Sequence, residues 1–162
     1  MDIRPYRATD ADVVWRILEP VLRAGDTYAL PSDWNRDEAL AFWCMSGHQV
    51  FVAEDQGIIC GTYYLQANQK GGGSHVANCG FVTATQATGR GIARIMCAHA
   101  LELAHAQGFR AMQFNFVVAS NTRAVALWKS FGFEVVGTLP RAFLHPALGY
   151  VDALVMFRRL TA

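Results

Sequence analysis

The stretch Thr85 to Met96, TQATGRGIARIM, constrains the fold most, because it sets two glycines and an arginine directly before an apolar run at helical spacing. Ile92, Ile95, Met96, His99, Ala100 and Leu103 recur on one face until Gly108 supplies a C-terminal stop, so the spacing predicts a helix of about four turns with one buried face. His75 to Thr83 reads as a strand entering the loop, and Arg110 to Val118 as the strand that follows the helix. Glycines at a helix N-terminus let the backbone approach a ligand closely, and the unpaired N–H groups there, with the helix dipole, favour an anion such as a phosphate. A P-loop would need Lys-Ser or Lys-Thr after the second glycine, and a dinucleotide loop a third glycine where Arg94 stands. A lone G-R-G before a helix also fits a simple tight turn.

The rest of the chain mixes strands and helices without repeats or a linker, which indicates one α/β domain. Ile3 to Arg7 reads as a strand; Thr9 and Asp12 mark a helix start before Val13, Val14, Ile17, Leu18 and Leu22, and Gly25 ends that helix. A turn-forming, aromatic segment, DTYALPSDWN, leads into a second helix through Leu40, Phe42 and Trp43. Val50 to Ala53 and Ile58 to Gln66 read as strands joined at Asp55-Gln56-Gly57, and Asn68 to Ser74 as an exposed connection. In the strand from Arg110, Gln113 and Asn115 share one face and Phe114 and Phe116 the other, and polar residues on a sheet face suggest a cleft. A helix from Asn121 carries Ala124, Leu127, Trp128 and Phe131, stops at Gly132, and feeds strands at Phe133 to Gly137 and Tyr150 to Phe157.

A formal charge of +1 on 162 residues gives no global electrostatic reason to seek nucleic acid or anionic membrane. Cys44, Cys60, Cys79 and Cys97 lie far apart with no C-x-x-C spacing, so they read as reduced thiols rather than a zinc site or disulfide framework. The first residues carry acids where a signal peptide needs an apolar run, and no segment approaches the roughly 18 apolar residues of a membrane span; a cytoplasmic protein is expected.

With the glycine loop, the stretch Asn121 to Phe133, NTRAVALWKSFGF, resembles the GNAT superfamily of acyl-CoA-dependent N-acyltransferases, whose motifs are a [QR]-x-x-G-x-[GA] loop and an N-x-x-A-x-x-L-Y-x-x-x-G-F helix. Gly91 and Ala93 fit as the final pair of the first motif, which puts Thr88 in place of Gln or Arg; a rival register would use Gln86, Gly89 and Gly91. The resemblance implies a single N-acetyltransferase domain over residues 1–162, with a mixed, mostly antiparallel central sheet, splayed between two strands and flanked by helices. It implies acetyl-CoA as co-substrate, no metal, and backbone groups of Phe81, Val82 and Thr83 pairing with the pantetheine arm as an added strand. Thr88, Gly89, Arg90, Gly91, Ile92 and Ala93 would hold the pyrophosphate. Asn121 would reach the pantetheine or thioester as a catalytic residue, and asparagine is also favoured there as a helix N-cap. The family's proton-donating tyrosine is replaced by Trp128, whose indole N–H cannot be given up near neutral pH.

The tail from Gly137 to Leu154, with Asn78 and Asn115, is similar to a subgroup that includes fungal acetyltransferases of azetidine-2-carboxylate and other proline analogues. That likeness implies a small amine, amino acid or imino acid as partner, with Asn78 and Asn115 at the acceptor site; either asparagine could instead satisfy the splayed sheet. Tyr28, Trp34, Tyr63 and Phe116 are candidate pocket walls, and His75 and His145 candidate relays that read equally as structural. A homodimer is compatible with this reading. A transferase for peptide or protein N-termini and a non-catalytic acyl-CoA sensor remain as alternatives.

Overall fold

The alternating strand patterns assemble into one seven-stranded sheet in the computed structural model, which describes residues 1–161. The strands are β1 (Asp2–Pro5), β2 (Gln49–Asp55), β3 (Ile58–Ala67), β4 (Val76–Thr83), β5 (Ala111–Val118), β6 (Glu134–His145) and β7 (Gly149–Arg159). The helices are α1 (Ala11–Ala24), α2 (Arg36–Trp43), α3 (Ile92–Ala106) and α4 (Thr122–Ser130). In the spatial order β1-β2-β3-β4-β5-β7-β6, every neighbouring pair is antiparallel except β4 with β5, which the α3 crossover makes parallel.

That parallel pair is short. Its register consists of Val76↔Ala111 and Ala77↔Met112, after which the strands part. β4 stays with β3 as far as Thr83↔Gly61, while β5 stays with β7 as far as Val118↔Ala153. The sheet is thus splayed between β4 and β5.

Alternation along β3 assigns the helices to faces. Tyr63 stacks on Phe81 and its hydroxyl lies 2.6 Å from His99 Nδ1 on α3, whereas its immediate neighbour on the opposite face, Thr62, accepts a hydrogen bond from Trp43 Nε1 on α2 at 3.1 Å. So α3 and α4 cover one face, and α1 and α2 the other. α1 buries Val14, Ile17, Leu18 and Leu22 and ends at Gly25, whose φ of 61° suits the left-handed stop. α2 opens with a capping box, Asn35 Oδ1 accepting from Glu38 N–H at 2.9 Å and Glu38 Oε2 from Asn35 N–H at 2.8 Å. Among the described residues no helix is long and apolar enough to cross a membrane.

Two elements differ from the pattern reading. β6 continues to His145 instead of stopping near Gly137, passing through Pro140. It is the edge strand, and the register shifts between Leu139 and Phe143, where Arg141 adopts φ 52°; an edge bulge is where a strand tolerates proline. The start of α1 is set by Asp10 rather than Thr9 or Asp12. A turn at Ala8–Asp10 precedes the helix, and the Asp10 carboxylate accepts from Arg7 N–H at 2.7 Å.

Asp10 also receives Arg4 Nη1 at 2.8 Å and Nη2 at 3.0 Å, while Arg4 Nε donates to Glu54 at 2.7 Å, tying β1 to β2 and to the head of α1. The Arg4 guanidinium, with help from the Arg7 N–H, holds the Asp10 carboxyl below its usual range. A depressed folded-state pKa means the stabilisation is complete above the unfolded value of ~4 and is lost as pH falls through the folded value. Asp10→Asn is therefore expected to cost about 1–3 kcal/mol at pH 7. Urea melts should show the gap between variant and wild type closing in acid; a gap that stays constant down to pH 2 would assign the stability to packing instead.

Candidate active site

Where β4 and β5 part, a cleft of about 750 Å³ opens, running from the glycine loop past the ends of α3 and α4 to the segment between α1 and α2. The loop at its head turns at Gly89 and Gly91, with φ of 82° and 78°, conformations in which other residues are strained. Gly91 caps α3. A Cβ on either glycine would meet nothing within 4 Å, so both face open space. The N–H groups of Thr88 and Arg90 close turns onto Thr85 and Ala87, whereas those of Gly89, Gly91, Ile92 and Ala93 have no acceptor among the described residues. The helix dipole points its positive end at the same spot.

Arg90, expected at the pyrophosphate, is elsewhere. Its guanidinium pairs with Asp55 at 2.7 Å, its N–H is used in the turn, and it does not line the cleft. The arginines that line it are Arg94 and Arg123, in the first turns of α3 and α4, and among the described residues no other charged side chain lines it. Pattern reading assigned neither to the site, since Arg94 lies one residue beyond the loop motif and Arg123 at a position where the helix motif allows any residue.

The phase of β4 decides which backbone groups face the cleft. Asn68 N–H donates to Val76 O and Ala84 N–H to Cys60 O, both at 2.8 Å, and the register between them is unbroken. In an antiparallel pair the bonded positions alternate, so the even-numbered residues of β4 turn their N–H and C=O to β3. Phe81 and Thr83 therefore face the splay, with Cys79 one step earlier. Val82, expected to pair with a ligand, has its backbone engaged by Thr62 instead. The Phe81 carbonyl is occupied: the Tyr28 hydroxyl, from the segment between α1 and α2, donates to it at 3.0 Å.

At the apex of the splay lies Asn78, 8% exposed. Its Nδ2 donates to the Gln113 carbonyl on β5 at 2.9 Å, and its Oδ1 accepts from Gln66 Nε2 at 3.3 Å. Asn115 is exposed and lines the cleft; its Nδ2 donates to Asn68 Oδ1 at 2.6 Å and its Oδ1 accepts from Gln113 Nε2 at 2.9 Å. The two asparagines thus belong to a row of carboxamides across β3, β4 and β5.

The opposite face is aromatic. Trp128, 9% exposed, sits 5.2 Å from Phe81 on β4 and 5.0 Å from Phe114 on β5, ring centroid to centroid. Seven residues before it, Asn121 caps α4 through Oδ1, which accepts from Ala124 N–H at 3.4 Å. That leaves the Asn121 Nδ2 hydrogens without an acceptor among the described residues, on the wall of the cleft.

Tyr28 and Phe116 line the cleft, as expected; Trp34 and Tyr63 do not. Trp34 packs on Phe42 at 5.7 Å, and Tyr63 stacks on Phe51 at 5.0 Å beneath the sheet. His145 Nδ1 accepts from Ala147 and Leu148 N–H, each at 3.1 Å, and so caps the β6–β7 turn; His75 is exposed and off the cleft. Among the described residues no three His, Cys, Asp or Glu side chains are placed to hold a metal.

The wall that pattern reading missed is Tyr64, laid across Gly80 and stacked on His48 at 3.9 Å. Burial pushes its phenol up to about 12. A Cβ at Gly80 would lie 2.5 Å from Tyr64 Cε1, so Gly80→Ala should cost about 1–3 kcal/mol by forcing the ring away. In a Tyr64→Leu background that cost should largely vanish. Equal costs in both backgrounds, measured by denaturant unfolding, would contradict the close approach.

The chain matches the acetyltransferase (GNAT) family over residues 15–133. It is 39% identical to a GCN5-related N-acetyltransferase from Kribbella flavida, with a TM-score of 0.93 and coverage of 98% of this chain and 96% of that one. A Salmonella typhimurium protein solved with acetyl-CoA shares the fold at 19% identity and a TM-score of 0.86, over 100% of this chain and 95% of that one. The N-acetyltransferase aca1 of Schizosaccharomyces pombe is 33% identical over 98 residues, 60% of this chain. Those residues span about half, 47%, of the yeast protein's length. A sheet splayed between β4 and β5, a glycine loop capping α3 and an asparagine capping α4, together with these matches, make the chain a member of the GNAT acetyltransferase family.

Proposed function

We propose that the protein is an N-acetyltransferase that moves the acetyl group of acetyl-CoA to the amine of a small acceptor. One observation carries the reading: a single cleft joins free helix N-terminal N–H groups to a strand edge with unpaired backbone groups. The first suits a pyrophosphate and the second an amide-bearing arm, which are the two unlike halves of coenzyme A. The open Cβ positions of Gly89 and Gly91 leave room for the anion.

In this reading Gly89, Gly91, Ile92 and Ala93 hold the pyrophosphate through N–H groups beside Thr88, and Arg94 and Arg123 offset its charge. Phe81 and Thr83 take the arm. The Asn121 Nδ2 donates to the arm or the thioester oxygen. The co-substrate supplies an activated acyl carbon, and a neutral amine attacks it directly, with strand N–H groups stabilising the developing oxyanion. The acceptor end, between Thr27–Leu30, Phe42, Tyr64, Asn78 and Phe116, is aromatic and uncharged. Arg23 pins the α1–α2 segment through Ser32 and Trp34 carbonyls, and Tyr28 reaches from it to β4, which narrows the groove an extended peptide would need. Small amines and imino acids such as proline analogues fit better. A cytoplasmic setting suits the four free thiols.

Free-thiol release with acetyl-CoA and a panel of primary amines, amino acids and imino acids tests the reading. Turnover on at least one small acceptor is expected; binding of acetyl-CoA without turnover on any amine or N-terminal peptide would favour a sensor. Gly91→Asp puts a carboxylate into the anion site and should weaken acetyl-CoA at least about tenfold more than Gly91→Ala, which carries the same positive-φ strain. Equal affinities by calorimetry would remove the loop from the site.

Trp128 carries no titratable proton near neutral pH, so the thiolate, with an ordinary pKa near 8.5, leaves without help from this position. Trp128→Phe should hold kcat within about tenfold, since general-acid help, worth roughly 10²–10⁴-fold, is not there to lose. A loss beyond a hundredfold in folded, acetyl-CoA-binding protein would give the indole N–H a part in the reaction.

A further inference from the structure

We infer that the Tyr28 hydroxyl stands in for the arm of the co-substrate, holding the Phe81 carbonyl until acetyl-CoA arrives and then turning to the acceptor. This rests on the N-acetyltransferase reading above. Phe81 is one of the β4 residues whose C=O faces the splay, and an arm that adds to this edge as a strand must use such carbonyls as acceptors. Tyr28 already donates to that oxygen at 3.0 Å. The Phe81 ring lies against Trp128, so this carbonyl sits at the end of the cleft where the family resemblance places the leaving thiolate.

The surroundings let the hydroxyl change partner without unseating the ring. Tyr28 packs edge-on against Trp43 at 6.3 Å, and Arg23 holds the segment's far side through the Ser32 and Trp34 carbonyls. A small rotation frees the O–H into the space shared with Tyr64 and Asn78, which also line the acceptor end. Burial raises the Tyr28 phenol well above its ordinary value, so it stays a neutral donor throughout the working range. Tyr28 is thus a positioning residue that couples the two substrate sites: the acceptor gains a hydrogen-bond donor only after the arm has displaced it.

The test is Tyr28→Phe, which removes the hydroxyl and keeps the ring on Trp43, with Tyr28→Met as a second variant lacking the hydroxyl. With the competing donor gone, calorimetry should show acetyl-CoA binding about three- to tenfold more tightly, the scale of one net hydrogen bond. Adenosine 3′,5′-diphosphate, which has no arm, should bind both variants as it binds wild type. At saturating acetyl-CoA, the acceptor KM should rise while kcat changes less. Unchanged or weaker acetyl-CoA binding would overturn the inference, because the carbonyl would then accept both donors at once. An equal shift for the nucleotide fragment would overturn it too, as a change of the whole site. Wild type that does not bind acetyl-CoA sinks this inference together with the proposed function, whereas wild type that turns over without tightening in the variants sinks this inference alone.

Discussion

Two rungs of parallel pairing, Val76↔Ala111 and Ala77↔Met112, join two half-sheets that are each complete. On one side β1 to β4 form an antiparallel run, and on the other β5, β7 and β6 do the same. Beyond these rungs the strands part, and β5 shifts register with β7 between Phe114 and Val117, so unpaired backbone polar groups face one another across a widening gap. Buried backbone groups without partners are costly, so the gap is stable only if something else satisfies or hydrates them. The protein uses side chains. Asn78 supplies the next rung by donating to the Gln113 carbonyl, and Tyr28 donates to the Phe81 carbonyl beyond it. The cleft is therefore an interrupted sheet whose edge already shows, in Tyr28, the type of donor it accepts.

Local features of the site were legible in the sequence. Glycines followed by helical spacing located the loop and α3, and Asn121 at the head of an apolar-striped helix located both the cap and the cleft wall, because period and capping are properties of neighbouring residues. What depends on partners distant in sequence was not. Val82 and Phe81 are indistinguishable as strand residues until the register with β3 is known, since a shift of one position exchanges every bonded group. Arg90 looks like an anion ligand until Asp55, 35 residues away, claims it. The lengthening of β6 through Pro140 follows from its place at the sheet edge, which strand patterns do not reveal.

The distribution of charge within the cleft separates its two ends. Arg94 and Arg123 stand beside the loop, where the helix dipoles of α3 and α4 add to their field. The other end is built of aromatic rings and carboxamides, and its asparagines are held by Gln66, Gln113 and Asn68 rather than left to swing. Carboxamides do not titrate, so the polarity these side chains give the wall is insensitive to pH. Under the acetyl transfer proposed above, that suits an amine that must be neutral to attack, since a carboxylate in the wall would hold it in the protonated, unreactive form.

The same economy accounts for Trp128. On the α3–α4 face the interrupted sheet has lost backbone bonds between β4 and β5, and the strands are rejoined there by side chains: the Trp128 ring contacts both Phe81 and Phe114, and Phe114 stacks in turn on Phe133 at 4.4 Å. A larger ring spans more of that gap than a phenol does, and aromatic pairs of this geometry add to the stabilisation from buried area. A phenolic hydroxyl at this position would have to be hydrogen-bonded or hydrated at the floor of the cleft. The indole exchanges a proton donor on one face for a firmer bridge between the half-sheets. On the other face, Tyr28 keeps a phenol bonded to β4 at the Phe81 carbonyl.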